Sequence, residues 1–81
     1  MLTDKNLAEL KMDSIENYFE WIVETAQTGE MPHPNELLIK LNKKQKTQFI
    51  NWCTDNDYIH PATKGRVIDM VNYSYSQSKA I

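Results

Sequence analysis

Few of the 81 residues carry side chains suited to catalysis or metal binding, and they are scattered along the chain. Cys53, Asp57 and His60 come nearest to a ligand set. Structural zinc sites use four ligands in short-spaced pairs, whereas this trio stops short of four and straddles the end of an expected helix, so no metal is expected there. Cys53 falls on an apolar helical side and reads as a small buried hydrophobe, with no histidine that spacing would set beside its thiol. Ser14, Ser74, Ser76 and Ser78 lack the sharp glycine-flanked turn that presents a nucleophilic serine. Gly29 and Gly65 stand alone, which excludes a glycine-rich phosphate loop. His33, between two prolines, is expected to be exposed, and His60 to cap or begin the last element. Glu16, Glu20 and Glu24 recur at every fourth position, but carboxylates in like, solvated surroundings offer no division into acid and base. The chain therefore reads as non-enzymatic and without a cofactor.

What remains is charge. Residues 1–36 carry eight acids and two lysines, a net of −6, while residues 37–81 carry seven basic residues and three acids, a net of +4. The overall −2 conceals this division. On a helix, Glu16, Glu20 and Glu24 form an anionic ladder whose adjacent like charges cost about 0.2–0.5 kcal/mol per pair, and only Glu16 gains from the helix N-terminus. Lys40, Lys43, Lys44 and Lys46 crowd the junction of two expected helices and raise a local positive potential. Gln48 shares a side with Lys44, Asn51 and Asp55, opposite Phe49 and Cys53. Trp21 lies outside the apolar stripe of its helix, next to Tyr18, where it either widens the core or anchors a partner.

One small domain over residues 1–81 must position these groups, because the length holds a single core. Two Gly and three Pro, with 41% hydrophobic residues, argue against disorder. Thr3 is placed to cap a first short helix, with Leu2 and Leu7 as a hydrophobic staple. Asp13 and Glu16 have capping-box spacing and open a helix over 14–28. Its Ile15, Phe19, Ile22, Val23 and Ala26 form one apolar stripe, with Tyr18 at the edge and Gly29 placed to end it. Pro32 and Pro34 impose an extended connector, and Pro34 then suits the first turn of a helix over 34–41 that turns Leu37, Leu38 and Leu41 inward. Asn42 separates it from a helix over 43–56 with Phe49, Ile50 and Cys53 inside and Trp52 at their margin.

Two readings remain for the C-terminal third. Pro61 can start a helix with Val67, Ile68, Val71 and Tyr75 on one side, or residues 62–65 can turn a hairpin between strand-prone segments. The first, preferred, gives an all-α bundle of four to five short helices with 14–28 as the central packing element. The second gives a winged helix-turn-helix.

No run is long and apolar enough for membrane insertion, no secretory signal is expected, and a lone cysteine fits a reducing compartment, so a cytoplasmic protein is expected. The expected function is that of a small regulatory adaptor or inhibitor that binds another protein. Its contact residues would be Glu16, Glu20, Trp21, Glu24, Lys40, Lys43, Lys44, Lys46 and Gln48. Frequent Lys, Asn and Ile fit an AT-rich coding source such as a phage accessory gene. The alternative is a helix-turn-helix-like transcriptional regulator whose lysines meet nucleic-acid phosphates while Gln48 and Asn51 face base edges. The acidic N-terminal half and Asp55 and Asp57 weigh against it. Opposite charges on one chain also permit homo-oligomers.

Overall fold

The computed structural model describes residues 2–79, with side chains described to residue 74. Among the described residues there are five helices and no strand: α1 (Asp4–Glu9), α2 (Ile15–Thr28), α3 (Pro34–Leu38), α4 (Lys43–Asp55) and α5 (Pro61–Lys79).

Each helix begins where a side chain can satisfy backbone N–H groups that the first turn leaves without carbonyl partners. At α1 the Thr3 hydroxyl accepts from the Asn6 N–H at 3.1 Å, and Asn6 Oδ1 accepts from the Thr3 N–H at 3.0 Å. At α4 Asn42 and Gln45 exchange the same pair of bonds at 2.8 and 3.0 Å. The start of α2 differs from the Asp13–Glu16 expectation: Ser14 is the cap, and its N–H donates to Asn17 Oδ1 at 3.1 Å. A box of Asp13 with Glu16 would set two carboxylates against each other, which a hydroxyl and a neutral amide avoid. Helices α3 and α5 use a second device, a His-Pro pair. The Nδ1 atoms of His33 and His60 accept from the N–H groups of Asn35 and Ala62, both at 3.1 Å, while the intervening proline has no N–H to satisfy.

Gly29, at φ 78°, ends α2 in the left-handed conformation that glycine adopts without strain. Helix α3 is shorter than the expected 34–41. Beyond Leu38 the chain tightens, the Leu41 N–H reaching the Leu38 carbonyl at 3.0 Å, because Asn42 must be extended to cap α4. Leu41 stays buried, while Ile39 is 70% exposed.

Tyr18 is fully buried rather than at the edge of the stripe, and its hydroxyl donates to the Leu37 carbonyl at 2.6 Å, which removes the penalty of enclosing a phenol. Phe19 packs against Phe49 and Trp52, with ring centres 5.2 and 5.7 Å apart. Leu2, Leu7 and Ile59 complete the core, and Ile15 and Ile50 are only partly buried against it. The Gln45 amide also holds the backbone of Leu2: Oε1 accepts its N–H at 3.2 Å and Nε2 donates to its carbonyl at 2.6 Å.

The C-terminal segment is helical, so the hairpin and the winged architecture are excluded and the chain is a small helical bundle. Helix α5 packs against α2, α3 and α4 with Val67 and Val71 fully buried, so it shares the central place expected of the helix over 14–28. The side chain of Tyr75 lies outside the described residues. Gly65 sits inside α5 with open space where a Cβ would be. Gly65→Ala is therefore expected to stabilise the fold by about 0.4–1 kcal/mol, mainly by restricting the unfolded chain. A thermal melt measures this, and a lowered midpoint would contradict the open helical setting.

Candidate functional site

Glu16, Glu20 and Glu24 are exposed along α2, as their spacing requires. Trp21 is half-buried on the core and meets Tyr18 edge-on at 5.9 Å and 84°, so most of its ring serves packing. Lys40, Lys43, Lys44 and Gln48 are exposed around the α3–α4 junction. Lys46 does not join them. It is only 6% exposed, and its ammonium donates to the Ser74 hydroxyl on α5. The physical reason is helical phase: Lys46, Phe49 and Cys53 lie at i, i+3 and i+7, the stripe that faces the core.

A different grouping emerges at the other end of α4. One hollow is lined by Glu20, Val23, Glu24 and Gln27 of α2 together with Trp52, Asn56, Tyr58 and Ile59. A second adjoins it, sharing Trp52, Asn56 and Tyr58 and adding Asp55 and Asp57. Two aromatic rings thus stand between two pairs of carboxylates. Trp52 is braced from the core side, 5.7 Å from the ring of Phe19 and 6.3 Å from that of Phe49, and shows its remaining surface to the hollow. Tyr58 is 99% exposed. It is held out by the turn on which it sits: its N–H donates to Asn56 Oδ1 at 3.2 Å, the next residue is the buried Ile59, and the Ile59 N–H returns to the Asn56 carbonyl at 3.3 Å. Alone, one exposed ring would carry no information, but Tyr58 shares its hollow with Trp52, Val23 and Ile59, and covering that patch would remove apolar surface from solvent.

The electrostatics of α4 reinforce this grouping. Lysines occupy its first turn and Asp55 its last, the reverse of the order that a helix dipole favours, at a cost of about 0.3–1 kcal/mol per charge. The dipole and the side chains therefore add, making one end of α4 positive and the other negative, about 18 Å apart at 1.5 Å per residue. Lys64 offsets part of the negative end by reaching the Thr54 carbonyl at 3.5 Å. Among the described residues Glu20, Glu24, Asp55 and Asp57 have no ion-pair partner.

The atoms with reactive potential do not converge. Cys53 is buried, and enclosure pushes its thiol up to about 12, with nearby Lys64 acting in the opposite direction. Asp57 and His60 are exposed, and His60 Nδ1 is engaged by the Ala62 N–H. No cluster of three or more His, Cys, Asp or Glu side chains that could hold a metal ion occurs among the described residues, and no described helix is long and apolar enough to cross a membrane.

Of the residues expected from the sequence to contact a partner, Glu20 and Glu24 line the acidic hollow. Lys40, Lys43, Lys44 and Gln48 form a separate basic corner, while Trp21 and Lys46 are largely taken up by packing. Trp52, Asp55, Asp57 and Tyr58 were not among them. In the sequence Asp55 and Asp57 stand out as charges unfavourable to a polyanion, and Asp57 also as one of an incomplete ligand trio, while Tyr58 falls between helices, where no periodicity indicates a face. Comparison of the chain with family models, with curated proteins and with solved structures finds no match.

Proposed function

We propose that this chain is a small non-enzymatic adaptor or inhibitor that acts by binding a basic surface of another protein, with the hollow around Trp52 and Tyr58 as its contact. The observation that carries this reading is Tyr58, open to solvent beside a braced tryptophan and among four carboxylates that have no ion-pair partner among the described residues. Aromatic residues on a rigid base are the side chains that most often dominate protein contacts, and a surrounding field of one sign steers and orients a partner of the other. Glu16, one turn further along α2, extends the same field.

Capture on the immobilised chain from its host tests the reading. A basic protein is expected to be retained by the parent, lost with the double change Glu20→Lys and Glu24→Lys, and retained by Lys43→Glu with Lys44→Glu. The exposed lysines and Gln48 at the start of α4 favour a second reading, contact with nucleic acid. Duplex DNA bound tightly at physiological salt, weakening steeply as salt is added and lost in the lysine double variant, would put that second reading in place of the first.

A further inference from the structure

We infer that the groove around Trp52 and Tyr58 receives an arginine-bearing segment of the partner protein, and that arginine is preferred to lysine there. This assignment, which depends on a cationic protein partner for this face, adds the chemistry of the cation.

A site made only of exposed carboxylates would separate the two basic residues only weakly, through the bidentate fork of the guanidinium. Rings change that. Guanidinium is planar and weakly hydrated, so it can lie flat on an aromatic face while its edge N–H groups reach carboxylates. The lysine ammonium is compact, strongly hydrated and unable to do both at once. The groove offers both parts together, with Trp52 and Tyr58 between Glu20 and Glu24 on one flank and Asp55 and Asp57 on the other. Val23 and Ile59 supply apolar lining against which the methylene stem of a long side chain can pack.

Half of the platform is formed in advance. Trp52 is fixed by Phe19 and Phe49, and the Asn56 turn holds the backbone of Tyr58, whose ring, 99% exposed, is free to turn onto a ligand. A second copy of the chain is a poor occupant. Its single arginine, Arg66, points its guanidinium to the Ala26 carbonyl at the end of α2, at 3.5 Å, and its exposed basic corner consists of lysines.

Titration calorimetry on the full chain at low salt decides the matter, using two short synthetic peptides in a Gly/Ser background that differ only in carrying arginine or lysine. The arginine peptide is expected to bind about two- to fivefold more tightly, the ratio that a cation–ring contact of about 0.5–1 kcal/mol at an exposed site provides. Tyr58→Ala, which leaves Trp52 in place, should reduce that ratio and Tyr58→Phe should keep it. Because Tyr58 is 99% exposed, its loss leaves the core intact, as a far-ultraviolet dichroism spectrum verifies. Glu20→Gln with Glu24→Gln should weaken both peptides.

Equal affinities for the two peptides, or an arginine preference that Tyr58→Ala leaves undiminished, would overturn the arginine assignment. The reading of a basic partner would then stand as long as the double glutamate change still weakens binding. Binding of neither peptide, or binding of both that ignores the glutamate changes, would remove the basic-partner reading and the arginine assignment together.

Discussion

Phe19→Ala is expected to leave the chain unfolded at room temperature. The ring is completely enclosed, with Phe49 and Trp52 against it at 5.2 and 5.7 Å. Cutting a buried phenylalanine back to a methyl group costs about 3–5 kcal/mol through lost burial and the cavity left behind. A core of this size supplies about 3–5 kcal/mol in total, so the single change consumes the margin. The same ring braces Trp52, and the wall of the candidate groove would go with it. Far-ultraviolet dichroism and a thermal melt provide the check: a cooperative transition near that of the parent would show that the aromatic cluster around Phe19 is not what holds the helices together.

The second large effect is expected in alkali. Burial pushes the Tyr18 hydroxyl up from 10.0 to about 12 and the Cys53 thiol up from 9.0 to about 12. Both groups are neutral acids, and folding favours the protonated form of each, so the folded state binds more protons than the unfolded one once the pH passes the unfolded values. Stability is therefore fully present below about pH 9 and falls progressively as the pH rises toward 12. Urea denaturation at a series of alkaline pH values should show the midpoint falling over that interval. In Cys53→Ala, which removes the thiol, the decline should begin later, near the 10.0 at which an unenclosed phenol ionises. A midpoint constant from pH 9 to 12 would mean that neither group is shielded in solution.

The helices could be read from the chain because their signals are local. Thr3, Gly29, Pro34 and Asn42 act within one turn of themselves, and each marks a boundary in the structure. Tyr18 was read at the edge of its stripe because its angle on the helix puts it there. Its burial depends on the Leu37 carbonyl, 19 positions away, which no local rule supplies. Lys46 was grouped with its neighbours in sequence, although its phase relative to Phe49 and Cys53 already placed it inward.

In α5 the strand-prone Val67, Ile68 and Val71 were overruled by the His60-Pro61 start and by the three helices that enclose the segment. The candidate groove was the least accessible feature. A helical wheel assigns faces to α2 and α4 separately and is silent on how they lie together, so it could not bring Glu20 and Glu24 to Trp52, and it had no frame in which to orient Tyr58.

The two ways of starting a helix divide the molecule by what a single substitution removes. At α1, α2 and α4 an amide side chain, that of Asn6, Asn17 or Gln45, reaches back to the N–H of the capping residue, so these starts are held from inside the helix as well. At α3 and α5 one imidazole nitrogen is the acceptor, and the proline after it has no N–H to contribute. His33→Ala and His60→Ala should thus loosen α3 and the first turn of α5 respectively while the other three helix starts hold, a partial fraying that hydrogen exchange would record at the amides of Asn35 and Ala62.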